Sequence, residues 1–247
     1  MNTAVADRKI MYTVNERSFL KIPNCPIAYW ASDRMRDIFE YNECFTGVTK
    51  KGILTGNDER FLRFWYEVYY NKISMSFKSY AEMSSSKYKW LPVTSGGHKR
   101  KWYGNLDTVV NLENEGYEIK ISVKNYRLRD PEYYFLEAIT WTEVSSGTLS
   151  CRYVPSGILY GNGGPVSFFF NNKLKYTLGL LNSEITMKIM TYIAPTVNFG
   201  PEQIARVPVI VDNESLITTT VNNNIELSKA DWDSFETSWG FKKHPLI

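Results

Sequence analysis

Residues 135–170 constrain the fold most. Four short runs rich in β-branched and aromatic residues occur here: 139–144 (ITWTEV), 149–154 (LSCRYV), 157–160 (GILY) and 166–170 (VSFFF). They are cut apart by Ser145-Ser146-Gly147, Pro155-Ser156-Gly157 and Gly161-Asn162-Gly163-Gly164-Pro165, clusters of the residues that turns require. The pattern predicts short strands joined by tight turns. Directly afterwards Leu174, Leu178, Leu181 and Ile185 recur at steps of four, three and four, an apolar stripe that predicts one helix over 174–190, ended by Pro195. Strands and helices in one chain give an α+β class: a mixed β-sheet globule with flanking helices.

The remaining elements are shorter. Residues 22–26 (IPNCP) predict a rigid extended corner, because each proline restricts its predecessor. Residues 29–39 predict a short helix capped by Ser32 or Asp33. Val48 to Leu54 reads as a strand interrupted by Gly52, and Thr55-Gly56-Asn57-Asp58 as a turn whose Asn57 or Asp58 caps the next element. Phe61, Leu62, Trp65 and Val68 then fall at helical spacing, with Arg60 and Arg63 on the other side. Residues 74–86 are polar and Ser-rich, a loop or irregular helix. Residues 117–124 alternate as a half-buried strand does, and 127–131 are a charged loop. Past an extended segment at 207–211, residues 222–235 read as helical.

At 247 residues there is enough chain for an ample core, and 43% hydrophobic with 22% charged is ordinary for a globular protein. The net charge of +3 is slight, but it is unevenly spread. From Lys87 to Arg129 nine Lys or Arg face four acids, a net +5, whereas from Asp212 onward six acids face three cations, a net −3. An anionic partner would therefore dock at the middle of the chain. Three scattered cysteines without a CxxC pair speak for a reducing compartment and against a zinc site or disulfide framework. Two histidines leave little material for a His-based metal site or a Ser-His-acid triad. No apolar run approaches the roughly 18 residues of a membrane span, and the charged N-terminus does not fit a signal peptide. The expectation is a cytoplasmic protein.

Two stretches carry candidate binding chemistry. In 92–116, the Gly96-Gly97 turn precedes His98, Lys99, Arg100 and Lys101, then Trp102 and Tyr103, then Gly104-Asn105 and a strand-like Thr108-Val109-Val110. Gly-Gly lets a backbone approach a partner closely, and cations beside flat aromatics suit a polyanion with stacked rings. The plain alternative is a hairpin tip with a solvated basic run, Trp102 in the core and Asn105 capping a turn. In the second stretch, Thr55, Asn57, Arg60 and Arg63 cluster at the turn and the helix after it; a solvated helix face is the plain reading for the arginines. Enzyme chemistry finds less support. The Gly161–Gly164 run (161–164) lacks a Lys-Ser/Thr ending and leads into a strand, so it is no phosphate loop. No dinucleotide turn and no Asn/Asp-Pro-Pro-aromatic loop is found.

The runs VTKKGILTGNDERFLRFWYEV, KWLPVTSGGHKRKWYGNLDTVVNLENEGYEIK, ITWTEVSSGTLSCRYVPSGILYG, GLLNSEITMKIMTYIAPTVNFGPEQIARVPVIV and DWDSFETSWGFKKHPLI, in that order, resemble the C-terminal half of the PglX-type adenine-specific DNA methyltransferases of BREX phage-exclusion systems. Fused restriction–modification methyltransferases are close relatives of that family. The resemblance covers most of residues 23–247. It implies a target recognition domain akin to half of a specificity subunit over 23–212, preceded by a lead-in (1–22) and followed by a helical, acidic tail (213–247) toward a spacer. The family's S-adenosylmethionine-binding and Asn-Pro-Pro-Tyr segments would lie upstream, so this piece would not be catalytic by itself and would hold no cofactor or metal. Double-stranded DNA is the implied partner, alongside the catalytic domain and other defence-system subunits. Lys99, Arg100 and Lys101 would meet phosphates, and Thr55, Asn57, Arg60, Arg63, His98, Trp102, Tyr103 and Asn105 complete the candidate contact set.

Overall fold

The computed structural model describes residues 12–44, 47–144, 147–169, 172–196, 198–244 and 246. The first half of the lead-in (1–11) and the Ser145-Ser146 turn residues lie outside these.

Helix α1 (Asp33–Tyr41) begins where the sequence predicts, with the Ser32 hydroxyl accepting from Met35 N. Ahead of it, the expected extended corner is instead a reversal. Asn24 and Cys25 sit at φ 67° and 49°, and Cys25 N donates to Ile22 O at 2.9 Å. Closing that turn overrides the extended preference of a residue before proline.

Strand β1 (Val48–Lys50) stops short of Gly52, whose backbone crosses residue 160. A Cβ on Gly52 would lie 2.0 Å from Tyr160 O, so only glycine allows Ile53 N to reach that same oxygen at 2.6 Å. Asn57 then caps α2 (Asp58–Phe61), its side chain accepting from Arg60 N. The helix predicted through Val68 ends there. Residues Leu62–Phe64 form strand β2 instead, because α2 is too short to propagate and a neighbouring strand offers ladder partners.

Helix α3 (Tyr80–Ser84) interrupts the polar stretch; β3 (Trp90–Thr94) and β4 (Thr108–Asn111) come next. The predicted strand at 117–124 is overturned by helix α4 (Glu113–Ser122). Asn114, Glu115 and Gly116 take positive φ and turn the chain into it. Ile119 is buried while Tyr117 and Ile121 stay exposed, so the alternation Tyr117-Ile119-Ile121 does not mark one face of a strand.

The β region is as predicted: β5 (Ala138–Trp141), β6 (Cys151–Val154), β7 (Leu159–Tyr160) and β8 (Val166–Phe168). The single long helix is not. Helices α5 (Leu174–Leu181) and α6 (Glu184–Ile193) are separated at Asn182-Ser183, where the Asn182 amide pairs with both the N–H and C=O of Cys151 and Ser183 caps α6. The break swings Ile185 out of the apolar stripe and leaves it exposed. A short α7 (Pro201–Ile204) and the long α8 (Glu214–Trp232, capped by Asn213) complete the chain.

The strands form two sheets, an antiparallel one in the order β1-β8-β5-β6 and a mixed one in the order β2-β4-β3-β7, whose β3–β7 pair is parallel. This is the α+β globule expected from the sequence. Strand β7 ties the two cores together by its two-residue period. Leu159 points into the core under the second sheet and Tyr160 into the core under the first. Helix α8 closes over α5, buries Val221 and Ile225, and approaches closely because a Cβ on Gly179 would come 2.8 Å from Val221 Cγ2.

Candidate nucleic-acid interface

The loop between β3 and β4, residues 95–107, holds most of the candidate residues, and its carbonyls are held from below. Gly96 O accepts from Asn105 Nδ2 (3.0 Å), Thr142 Oγ1 (3.0 Å) and Arg152 Nη2 (2.9 Å). Asn105 Nδ2 also donates to His98 O at 2.8 Å, Thr142 Oγ1 reaches Gly97 O at 3.4 Å, and Arg152 Nη1 reaches Arg100 O at 3.4 Å. Further on, Trp102 joins the edge of the first sheet. Its N–H donates to Cys151 O at 2.9 Å, and its carbonyl accepts from Tyr153 N at 2.8 Å. The loop is therefore fastened to β5 and β6 rather than free in solvent. Gly97 at φ 72° supplies the turn that Gly-Gly promised.

Arg152 is fully buried, and among the described residues no carboxylate pairs with it. Burial lowers its pKa to about 10, since a cation away from water is disfavoured. Among the described residues its Nε has no hydrogen-bond partner. A buried cation satisfied only by carbonyl oxygens costs stability, and its two end nitrogens hold the loop. The sequence reading missed it. The available signal was a charge at the centre of LSCRYV, a run otherwise suited to burial.

The basic run divides. His98 and Lys99 are exposed and make no ion pair or side-chain hydrogen bond among the described residues. Arg100 turns back instead: Nε donates to Tyr103 O at 3.0 Å, a terminal nitrogen pairs with Asp231, and the guanidinium lies 5.1 Å over the Trp232 ring. Lys101 Nζ donates to Asn182 O at 2.8 Å. Both tethers bind the loop to the helices, Arg100 to α8 and Lys101 to the α5–α6 break. Tyr103 is buried, and burial raises its pKa to about 12. Trp102 is half-buried against the core and Asn105 is buried.

In the second stretch Thr55 is buried and bonds Asp58, while Asn57 is exposed. Arg60 is exposed and pairs with Glu118; Arg63 folds onto the carbonyls of Glu59 and Leu62. The two stretches meet. Thr55 and Asp58, Ser95 and Gly96, and Asn162 and Gly163 line one cleft of about 300 Å³, together with the apolar Ile53, Leu62, Val93 and Val110. The Gly161–Gly164 turn (161–164), set aside as a phosphate loop, is thus its third wall. Close backbone approach explains Gly161, where a Cβ would lie 2.3 Å from Thr94 O.

The molecule is an α+β globule with a glycine-edged cleft beside an exposed loop whose carbonyls are turned inward. No protein-family model matches the chain. It is 36% identical over 248 residues to "Adenine-specific methyltransferase PglX" of Lacticaseibacillus casei (strain Zhang), covering 96% of this chain and 20% of that protein. It is 37% identical over 236 residues to "Adenine-specific methyltransferase BrxX" of Escherichia coli O9:H4 (strain HS), covering 94% of this chain and 19% of that protein. The resemblance read from the motifs is borne out: the chain corresponds to one region of larger BREX methyltransferases. It spans about a fifth of the length of the curated relatives it matches.

Proposed function

We propose that this chain is the duplex-DNA recognition module of an adenine-N6 DNA methyltransferase of the BREX phage-defence type. It positions a short site so that a catalytic domain, elsewhere in the larger protein, flips and methylates an adenine with S-adenosylmethionine. One observation carries the reading: the two candidate stretches, forty residues apart in sequence, border the same cleft, and Asn57, His98 and Lys99, one to three residues along the chain from its lining, are exposed. Phosphate contacts from Lys99 would set the register on the duplex, and polar side chains at the rim, Asn57 first, would read base edges in a groove. Arg100, Lys101, Tyr103, Asn105 and Thr55 act as the frame for that surface. Domain limits at 23–212, with α8 and the residues after it leading toward a spacer, belong to the same proposal.

A second reading is docking to another subunit of the defence system. Its support is the ribbon of exposed aromatics that begins at the last residue of β2: Phe64 and Tyr66 stacked at 5.3 Å, followed by Tyr69 and Tyr70. Fluorescence anisotropy of a randomised duplex over a salt series separates the two. Steeply salt-dependent binding, weakened in a His98→Ala/Lys99→Ala variant, is expected for DNA recognition. Absence of binding even at low salt, with salt-insensitive capture of a BREX subunit lost in a Tyr69→Ala/Tyr70→Ala variant, would favour docking.

A further inference from the structure

A trans peptide group is planar, so its N–H points opposite to its C=O. No peptide bond in the described chain is cis. Since Asn105, Thr142 and Arg152 draw the carbonyls of Gly96, Gly97 and His98 inward, the N–H groups of Gly97, His98 and Lys99 face the other way. Among the described residues none of these three N–H groups donates to any acceptor, and all three residues are exposed. Three successive donors on one side of the chain, beginning at Gly97 in the left-handed region (φ 72°), are the elements from which a backbone anion seat is built. The charges agree with that sign. The side chains of His98 and Lys99 flank the donors, the buried Arg152 guanidinium lies beneath them without a carboxylate, and the nearby carboxylate of Asp231 is taken up by Arg100.

We infer that the Gly97-His98-Lys99 backbone is a preformed seat for one phosphodiester oxyanion, and that Arg152, Asn105 and Thr142 are its positioning residues. The inference rests on the DNA reading for its source, a backbone phosphate of the duplex. The seat gives the buried Arg152, which no carboxylate pairs among the described residues, a role: it keeps the Gly96 carbonyl dipole away from the anion and adds positive potential below it. Its start directly after the cleft-lining Gly96 puts a bound phosphate at the rim, where a register contact belongs.

The test follows the amide resonances of Gly97, His98 and Lys99 by NMR of the full chain, titrated separately with a short duplex and with dimethyl phosphate at low salt. Anisotropy is read on the duplex in parallel. Expected is duplex binding with all three amide protons shifting downfield, a smaller movement of the same three with dimethyl phosphate, and about tenfold weaker duplex binding in Asn105→Ala, which frees the His98 carbonyl and removes one of the three donors to Gly96 O. Duplex binding with these amides unmoved would overturn the seat and leave DNA recognition standing. Movement with dimethyl phosphate but no duplex binding would keep the seat and remove the DNA reading. No movement with either ligand and no duplex binding would remove both. Should Asn105→Ala not fold, the wild-type resonances decide by themselves.

Discussion

Lys99 and Arg100 are neighbours in one basic run, yet the structure predicts that their removal is read by different instruments. Lys99 is exposed and unpaired among the described residues, whereas Arg100 is spent internally on Tyr103 O, Asp231 and the Trp232 ring. Truncating Lys99 to alanine should cost little stability, within about 0.5 kcal/mol. It should lower the slope of log affinity against log salt by about 0.9, one phosphate contact. Truncating Arg100 to alanine gives the converse. Its ion pair with the exposed Asp231 is screened and contributes at most a few tenths of the ~1 kcal/mol typical of surface pairs. The guanidinium–indole contact adds ~0.5–1 kcal/mol and the hydrogen bond to Tyr103 O about 1 kcal/mol, softened because Ser228 also donates to that carbonyl. The total is about 1.5–2 kcal/mol, or roughly 3–8 °C of melting temperature for a chain of this size, with the salt slope unchanged. Calorimetry and salt-dependent anisotropy on both variants check this. An Arg100→Ala protein with native melting and a slope reduced by about one would refute the assignment and return Arg100 to the phosphate backbone.

Gly52→Ala should destabilise by about 3 kcal/mol or more, because its Cβ would meet the Tyr160 backbone at 2.0 Å and must break the Ile53–Tyr160 hydrogen bond between the two sheets; a melting temperature unchanged in calorimetry would contradict that close crossing. Cys151 is buried and its thiol pushed up to about 12, while Cys25 and Cys44 are exposed. A thiol reagent at pH 8 should therefore modify two cysteines in the native chain and three after denaturation, as counted by mass spectrometry. Burial holds the Tyr103 phenol above its ordinary value of 10.0, at about 12. Its contribution to stability is complete below pH 10 and lost as pH rises through 12, so denaturant midpoints should fall above pH 10 and fall less in Tyr103→Phe.

Signals carried by one or two residues were legible in the amino-acid sequence. Ser32 and Asn57 cap the helices that come after them, Gly97 turns the loop, and the glycine- and proline-bearing clusters separate the four strands of residues 135–170. Each acts through its own backbone preference or a hydrogen bond three residues away, so local sequence suffices. The family resemblance was equally visible, since five quoted runs in order cannot arise from composition. Three readings failed for one shared reason. At 61–68, 117–124 and 174–190 a short apolar pattern fits helix and strand alike or runs on across a break, and residues outside the pattern decide. Leu62–Phe64 extends because β4 supplies its ladder, Ile119 turns inward on a helix because Asn114 to Gly116 redirect the chain, and α5 ends because Asn182 is claimed by Cys151.

The candidate surface divides in the same way. Sequence by itself marked the basic run and its glycines, and so the place where an anion would dock. Which of those cations remain free, and which way the backbone N–H groups face, was decided by tertiary contacts. Asp231 removes Arg100 from across 131 residues, and Arg152 grips Gly96 O from across 56. The physical reason is that a carbonyl's direction is set by the donor that reaches it: Asn105 lies within the loop, but the other donors lie on β6, α8 and the strand end at Thr142, which only the folded chain brings beneath it.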